Sequence, residues 1–213
     1  MKNLLTSLLF IGAIGVIYAQ NSVQKTKYCD HVSKLIKNQN PFYAYDEATL
    51  KSEASMVDYQ TQSHKLKITG TVYQTDGVTP APNVIIFIQQ ADENGEYAVV
   101  SNSKITHVKN RLWVKTDENG QYTINTFIPG STTKPLIYPH ELQPKHIHAM
   151  IKESGKPEYA MHRMLFDTDP LITKSCRKRL KRKNIDSILA LKTEGDVQIA
   201  TKNIVLESQS ESL

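Results

Sequence analysis

The chain reads as an all-β protein, an antiparallel β-sandwich behind a partly helical N-terminal arm, and three observations lead there. From Leu66 onward, short runs of β-branched and aromatic residues alternate with turn signals. The string Asp-Glu-Asn-Gly-x-Tyr occurs twice, at Asp92 to Tyr97 and at Asp117 to Tyr122, and Asn-Gly tolerates the positive φ of a tight turn. Sustained helical periodicity is missing from the same region. At 213 residues one main domain with a substantial core is expected.

Taken in order, residues 1–20 read as a secretory signal peptide. Lys2 gives the positive start, Leu4 to Ile17 the apolar run, and Ile17-Tyr18-Ala19 a tolerable cleavage site after Ala19 or Gln20. Export to the periplasm or exterior follows, with an uncleaved anchor as the competing reading. Residues 21–65 form a polar arm with weak helical periodicity at His31 to Ile36 and Glu47 to Met56. The sandwich is expected over residues 66–172. Its strands are Leu66 to Tyr73 with a bulge at Gly70, Val84 to Ile88, Arg111 to Lys115, Tyr122 to Ile128, Ala149 to Ile151 and Tyr159 to Phe166. Thr75-Asp76-Gly77, Pro80, Pro82, Gly155 and Pro157 mark the turns between them. Residues 173–213 hold a basic segment and then strands or a tail around Gly195.

The formal charge is +5, or +4 without Lys2, too mild to imply a nucleic-acid partner. Much of it is local, in Lys174, Arg177, Lys178, Arg179, Lys181, Arg182 and Lys183. That cluster reads as a solvated basic helix or tail, with docking on an anionic envelope surface as the alternative. Export would permit a disulfide between Cys29 and Cys176.

The chemistry-bearing stretch is "YPHELQPKHIHAMI", from Tyr138 to Ile151. On a strand, residues i and i+2 share a face, so His146 and His148 present two imidazoles to one point while Ile147 faces the core. Neutral imidazole binds iron, zinc, copper and nickel, which makes the pair half a metal site. Surface or hydrogen-bonded histidines are the bland alternative. A zinc site of His140, His146 and His148 is another. His162 reads as a surface or packed residue or as support for such a site; His31, His64 and His107 show no ligand spacing. Trp113 reads as a packed aromatic or as a wall for a ring-shaped ligand.

From Leu66 to Leu171 the chain resembles the catalytic domain of the intradiol ring-cleavage dioxygenases, the group of catechol 1,2-dioxygenase and protocatechuate 3,4-dioxygenase. The resemblance rests on an ordered set: Gly70-Thr71-Val72 with Pro82, "IFIQQADENGEY", "TDENGQYTINTFIPG", "PKHIH" and "LFDTDP". It implies a sandwich of the intradiol type and a ferric ion, Fe(3+), held by two tyrosinates and two histidines. Matched position by position, the metal ligands are Tyr97, Tyr138, His146 and His148. Tyr122 competes with Tyr97 by its identical turn, but the family motif uses that tyrosine structurally. The usual place of the second tyrosine is occupied here by Thr132, and an insertion around Ser131 to Pro135 brings in Tyr138. Many members carry an arginine where this chain has Gln143, with Lys145 nearby as a replacement cation. Two hard phenolate donors suit Fe(III).

The implied function is an exported non-haem dioxygenase. It would cleave a catechol-like aromatic between its two hydroxylated carbons with O2, Tyr138 acting as the ligand that leaves the metal and accepts a proton. A non-catalytic exported binding module is the reading from another class, since the tyrosine and arginine departures both favour it.

Overall fold

The computed structural model describes residues 41–101, 106–133 and 141–208. The expected signal peptide, Cys29, His31, Tyr138 and His140 lie outside the described residues. The chain divides into a unit of Met1–Ala44 with Ser103–Ile105 and a larger unit of Tyr45–Asn102 with Thr106–Leu213. The described part of the smaller unit is Pro41–Ala44, one 3-10 turn followed by Ala44.

In the larger unit, alternation in the sequence becomes strand register. β1 (Glu53–Ser55), β2 (Lys65–Tyr73), β7 (Gln121–Phe127), β14 (Lys192–Glu194) and β15 (Val197–Thr201) form one sheet in the order β1-β7-β2-β15-β14, and β16 (Ile204–Val205) also pairs with β2. The second sheet runs β13-β12-β10-β3-β6, from β13 (Ile188–Leu189), β12 (Met164–Phe166), β10 (His146–Lys152), β3 (Ile85–Gln90) and β6 (Arg111–Lys115), with β11 (Tyr159–Ala160) also on β10. Two small ladders, β4 (Val99–Ser101) with β5 (Thr106–Val108) and β8 (Thr132–Thr133) with β9 (Leu142–Gln143), complete it.

The period of two decides what is buried. Leu66, Ile68 and Val72 of β2, Tyr122 and Ile124 of β7, Ile86 and Ile88 of β3, and Ile147, Ala149 and Ile151 of β10 belong to one core. The central pairings, β2 with β7 and β3 with β6 and β10, are antiparallel. Parallel pairs come from β1, β13, β15 and β16, the short strands added before and after the main run. Leu189, Ala200, Ile204 and Leu206 are buried, so the chain after the basic segment completes both sheets.

Two local expectations change and a third is borne out with an added detail. Gly70 is not a bulge: it pairs with Tyr122 in unbroken register. Glycine is needed because a Cβ there would lie 1.9 Å from the Lys202 carbonyl oxygen. The helical periodicity at Glu47 to Met56 gives one 3-10 turn, Glu47–Thr49, and then β1, because Glu53 to Ser55 find backbone partners on β7. The two Asp-Glu-Asn-Gly strings are tight turns, with Gly95 at φ +86° and Gly120 at φ +70°. Neither joins hydrogen-bonded neighbours: the second crosses from β6 in one sheet to β7 in the other.

The basic segment forms α1 (Lys174–Arg182), started by the Thr173 hydroxyl accepting from the Cys176 amide at 3.1 Å, with no buried residue. Cys176 sits on it half-buried.

Candidate metal centre

Burial of Ile147, Ala149 and Ile151 turns His146 and His148 to the opposite face of β10. Their Nε2 atoms are 3.2 Å apart and the rings stand nearly perpendicular, at 83°. Tyr97 Oη lies 3.3 Å from His146 Nε2, with its ring 6.4 Å from that of His148.

Tyr97 reaches this point because the turn before it is pinned. Asp92 Oδ1 accepts from the amides of Asn94 and Glu96, both at 2.9 Å, and the Asp92 carbonyl accepts from Gly95 and Gly130. Gly95 and Gly130 then touch backbone to backbone: a Cβ on Gly130 would meet the Gly95 nitrogen at 2.3 Å, and one on Gly95 the Ser131 oxygen at 2.0 Å. Gln90, fully buried at the end of β3, donates to the Phe127 carbonyl and accepts from the Thr126 hydroxyl, both at 2.8 Å. The strand that leads into the Tyr97 turn is thus tied to the opposite sheet.

The ring nitrogens have defined roles. His146 Nδ1 is 2.8 Å from the Pro144 carbonyl, which can only accept. Nδ1 therefore carries the proton, and in the neutral ring Nε2 is the lone-pair nitrogen. Burial lowers the pKa of His146, although the Pro144 bond opposes this. Burial, then the neighbouring imidazole and Arg163, push His148 down to about 4. Both rings stay neutral at ordinary pH, the state a metal ligand needs. Burial raises the Tyr97 phenol, with Arg163 pulling the other way.

The donor set fits a metal ion. One lone pair on His146 faces two neighbours, Tyr97 Oη and His148 Nε2, and cannot serve both well. Donors held roughly 2.1 Å from a common ion sit roughly 3.0–3.5 Å from one another, and the His146 Nε2 distances to Tyr97 Oη and to His148 Nε2, 3.3 Å and 3.2 Å, match that spacing. Among the described residues no group of three or more His, Cys, Asp or Glu side chains could hold a metal, so a phenol is needed to complete the set found here.

The other expected residues fall around this point. Gln143 is on β9, opposite Thr132 on β8, and its Oε1 accepts from Arg163 Nη1 at 2.9 Å. Thr133 pairs with Leu142, so the segment containing Tyr138 starts and ends at this ladder. The Lys145 amide donates to Asp169 Oδ2 at 2.6 Å, while Oδ1 of the same buried carboxylate accepts from the Leu171 amide at 2.8 Å. Tyr122 points into the core and donates to the Lys202 carbonyl at 2.6 Å. His162 lines a separate cleft with Lys202, Asp186 and Glu207. Trp113 packs on Phe87 at 5.0 Å and on Tyr45 at 6.1 Å, beneath the Arg111 guanidinium. Arg163 and Asp169 carry no expected role from the sequence; Asp169 lies inside "LFDTDP", but only its burial shows what it holds.

Comparison with known proteins agrees with this architecture. A family model described as Dioxygenase matches residues 38–207. A catechol 1,2-dioxygenase of Acinetobacter baylyi is 31% identical over 103 residues, 43% of this chain and 33% of the relative, so the chain spans about a third of that enzyme's length. The catechol 1,2-dioxygenase structure of Acinetobacter radioresistens superposes with a TM-score of 0.58 at 16% identity, over 94% of this chain and 78% of that one. The dioxygenase domain of a dioxygenase and carbohydrate-binding fusion protein from Streptomyces sp. SirexAA-E does so with a TM-score of 0.54 at 21% identity, over 78% and 95%. At these identities the superpositions speak for the fold, while the family model spans most of the chain and both sheets. The chain belongs to the intradiol ring-cleavage dioxygenase family.

Proposed function

We propose that this chain is an exported dioxygenase that holds one ferric ion with Tyr97, Tyr138, His146 and His148. In this reading it cleaves a catechol-like aromatic between its hydroxylated carbons, adding both atoms of O2 to give a ring-opened diacid. The observation that carries the reading is the approach of both Tyr97 Oη and His148 Nε2 to His146 Nε2, at 3.3 Å and 3.2 Å. When bound, the ferric ion supplies Lewis acidity and a template for the two ring oxygens.

The chain's own residues do the rest. His146 and His148 stay neutral and present lone pairs, the first fixed in its tautomer by the Pro144 carbonyl. Tyr97 is the phenol the pinned turn keeps in place. Tyr138 is the second phenolate, the one that takes a proton from an incoming ligand hydroxyl at its Oη. Gln143, with Oε1 engaged by Arg163, keeps its amide N–H groups for donation.

Reconstitution with ferric iron tests the reading. Tyrosinate bound to ferric iron absorbs visible light, so the protein should be coloured, and Tyr97→Phe and Tyr138→Phe should each shift or remove the band. With catechol, ring opening should consume one O2 per diacid formed. A colourless protein that takes up no iron would rule the reading out, and an unchanged spectrum in Tyr138→Phe would remove that residue from the ligand set. Export is checked separately, by N-terminal sequencing of the protein from the extracytoplasmic fraction for a start near Gln20.

A further inference from the structure

Arg163 reaches the metal centre through an irregularity in the sheet. β10 pairs with β12 as His146 to Leu165 and Ile147 to Met164, and with β11 as Met150 to Ala160 and Ile151 to Tyr159. Between these pairs β10 has two residues, His148 and Ala149, whereas the returning strand has three, Met161, His162 and Arg163. The Met161 amide bonds the Ala149 carbonyl at 3.0 Å, which leaves His162 and Arg163 both opposite His148. One extra residue is a β-bulge, a device that re-aims side chains. His162 turns to the cleft beside Lys202, and Arg163 donates to Gln143 Oε1 at 2.9 Å.

The charge balance at this point is one-sided. Among the described residues, Arg163 is the one fully charged side chain whose field acts on Tyr97, on His146 and on His148. A ligand seated beside the three donors therefore lies near the guanidinium that the bulge and the Gln143 contact hold in place. A guanidinium offers up to five N–H donors, and the bond to Gln143 uses one of them, which fixes its direction and leaves the others. Lys145, the nearby cation expected from the sequence, has its backbone anchored to Asp169.

We propose that Arg163, aimed by the bulge and held by Gln143, is the ligand-binding cation of this site. It selects aromatic ligands in their anionic form by donating a charge-assisted hydrogen bond to their ionised oxygen or to an acidic ring substituent. This rests on the reading of the site as one for catechol-like aromatics.

The test is equilibrium binding of 4-nitrocatechol, whose ionised form is coloured, to the full chain without O2, in both metal-free and iron-loaded forms. Arg163→Gln should weaken binding roughly tenfold or more, the scale of a charge-assisted hydrogen bond. Added salt should weaken the wild type more than the variant. Arg163→Lys should retain part of the affinity, and the exchange Gln143→Arg with Arg163→Gln should recover most of it, because the guanidinium returns on the other side of the same contact. Equal affinity in wild type and Arg163→Gln, or failure of both the lysine and the exchange variants to recover any, would overturn the proposal. Iron uptake, measured on the wild type before any variant, reports on the ferric reading alone; if it fails, the Arg163 dependence in the metal-free titration still decides the inference.

Discussion

Tyr97 Oη lies 3.3 Å from His146 Nε2 across 49 residues of sequence, and no strand pairing joins the two directly. The contact is held by backbone on one side and by a carbonyl on the other. Tyr97 follows the Asp92 turn, which is clamped to Gly130, and His146 is fixed by the Pro144 carbonyl. The site should therefore be more sensitive to small changes at those anchors than to changes among exposed residues around it.

Gly130→Ala makes the sharpest such change. The added methyl would lie 2.3 Å from the Gly95 nitrogen and 2.5 Å from the Glu93 carbonyl oxygen, both backbone atoms that cannot rotate away. The turn must move, and Tyr97 with it. A loss of roughly 2 kcal/mol or more is expected, read as a lower urea midpoint. The visible iron band should weaken in the same variant. An alanine variant with full stability and unchanged colour would show that this contact does not position Tyr97.

Asp169→Asn tests the anchor beneath the histidines. The buried carboxylate accepts from the amides of Lys145 and Leu171 with separate oxygens. Asparagine has one oxygen, so one amide loses its partner or faces an NH2 group, at a cost of about 1–3 kcal/mol. Lys145 precedes His146, so iron affinity should also fall, roughly tenfold, as for other residues that orient ligands. Competition with a chelator measures it. Unchanged affinity would confine Asp169 to stability.

Much of the sandwich was legible because period-two burial leaves a local trace. β2, β6 and β7 show it in their alternating apolar residues, β3 was marked instead by a continuous apolar run buried throughout, Ile85 to Ile88, and the two Asn-Gly turns punctuate them. β1, β13 and β16 did not, since two- or three-residue strands paired with distant partners carry no pattern of their own. At the site, His146 and His148 stood out by spacing alone. Tyr97 and Tyr122 share one local string; the resemblance set Tyr122 apart as structural, and the sheets show it in phase with the core of β7, while Tyr97 follows a strand that ends at Gln90. Arg163 had no signal at all, because its approach depends on one extra residue between β11 and β12.

Gln90 offers a test of how the two sheets are joined at the site. Its amide bonds the Phe127 carbonyl and the Thr126 hydroxyl in a fully buried setting. Gln90→Leu leaves both without a partner and should cost roughly 2–4 kcal/mol. Adding Thr126→Val removes one of the orphaned groups, so the double variant should cost less than the sum of the singles. Strict additivity in urea unfolding would mean that the Thr126 bond contributes nothing.

Tyr122→Phe separates a packed tyrosine from a metal-binding one by its pH dependence. Burial raises the Tyr122 phenol well above its ordinary value, and its hydroxyl donates to the Lys202 carbonyl. A folded-state pKa above the unfolded value means that the stabilisation is complete below about pH 10 and is lost as pH rises further. At about pH 8 the phenylalanine variant should be the less stable by about 1–2 kcal/mol, for the lost hydrogen bond. Above about pH 10 the unfolded wild type gains an ionised phenol that the variant lacks, so the gap should shrink by about 1.4 kcal/mol per pH unit. The two stability curves should then meet near pH 11. Urea midpoints across this range measure it, and a gap that stays constant would mean that Tyr122 ionises in the folded protein. The iron band, by contrast, should be the same in both proteins at about pH 8, because the Tyr122 hydroxyl is committed to the Lys202 carbonyl and takes no part in the site at Tyr97.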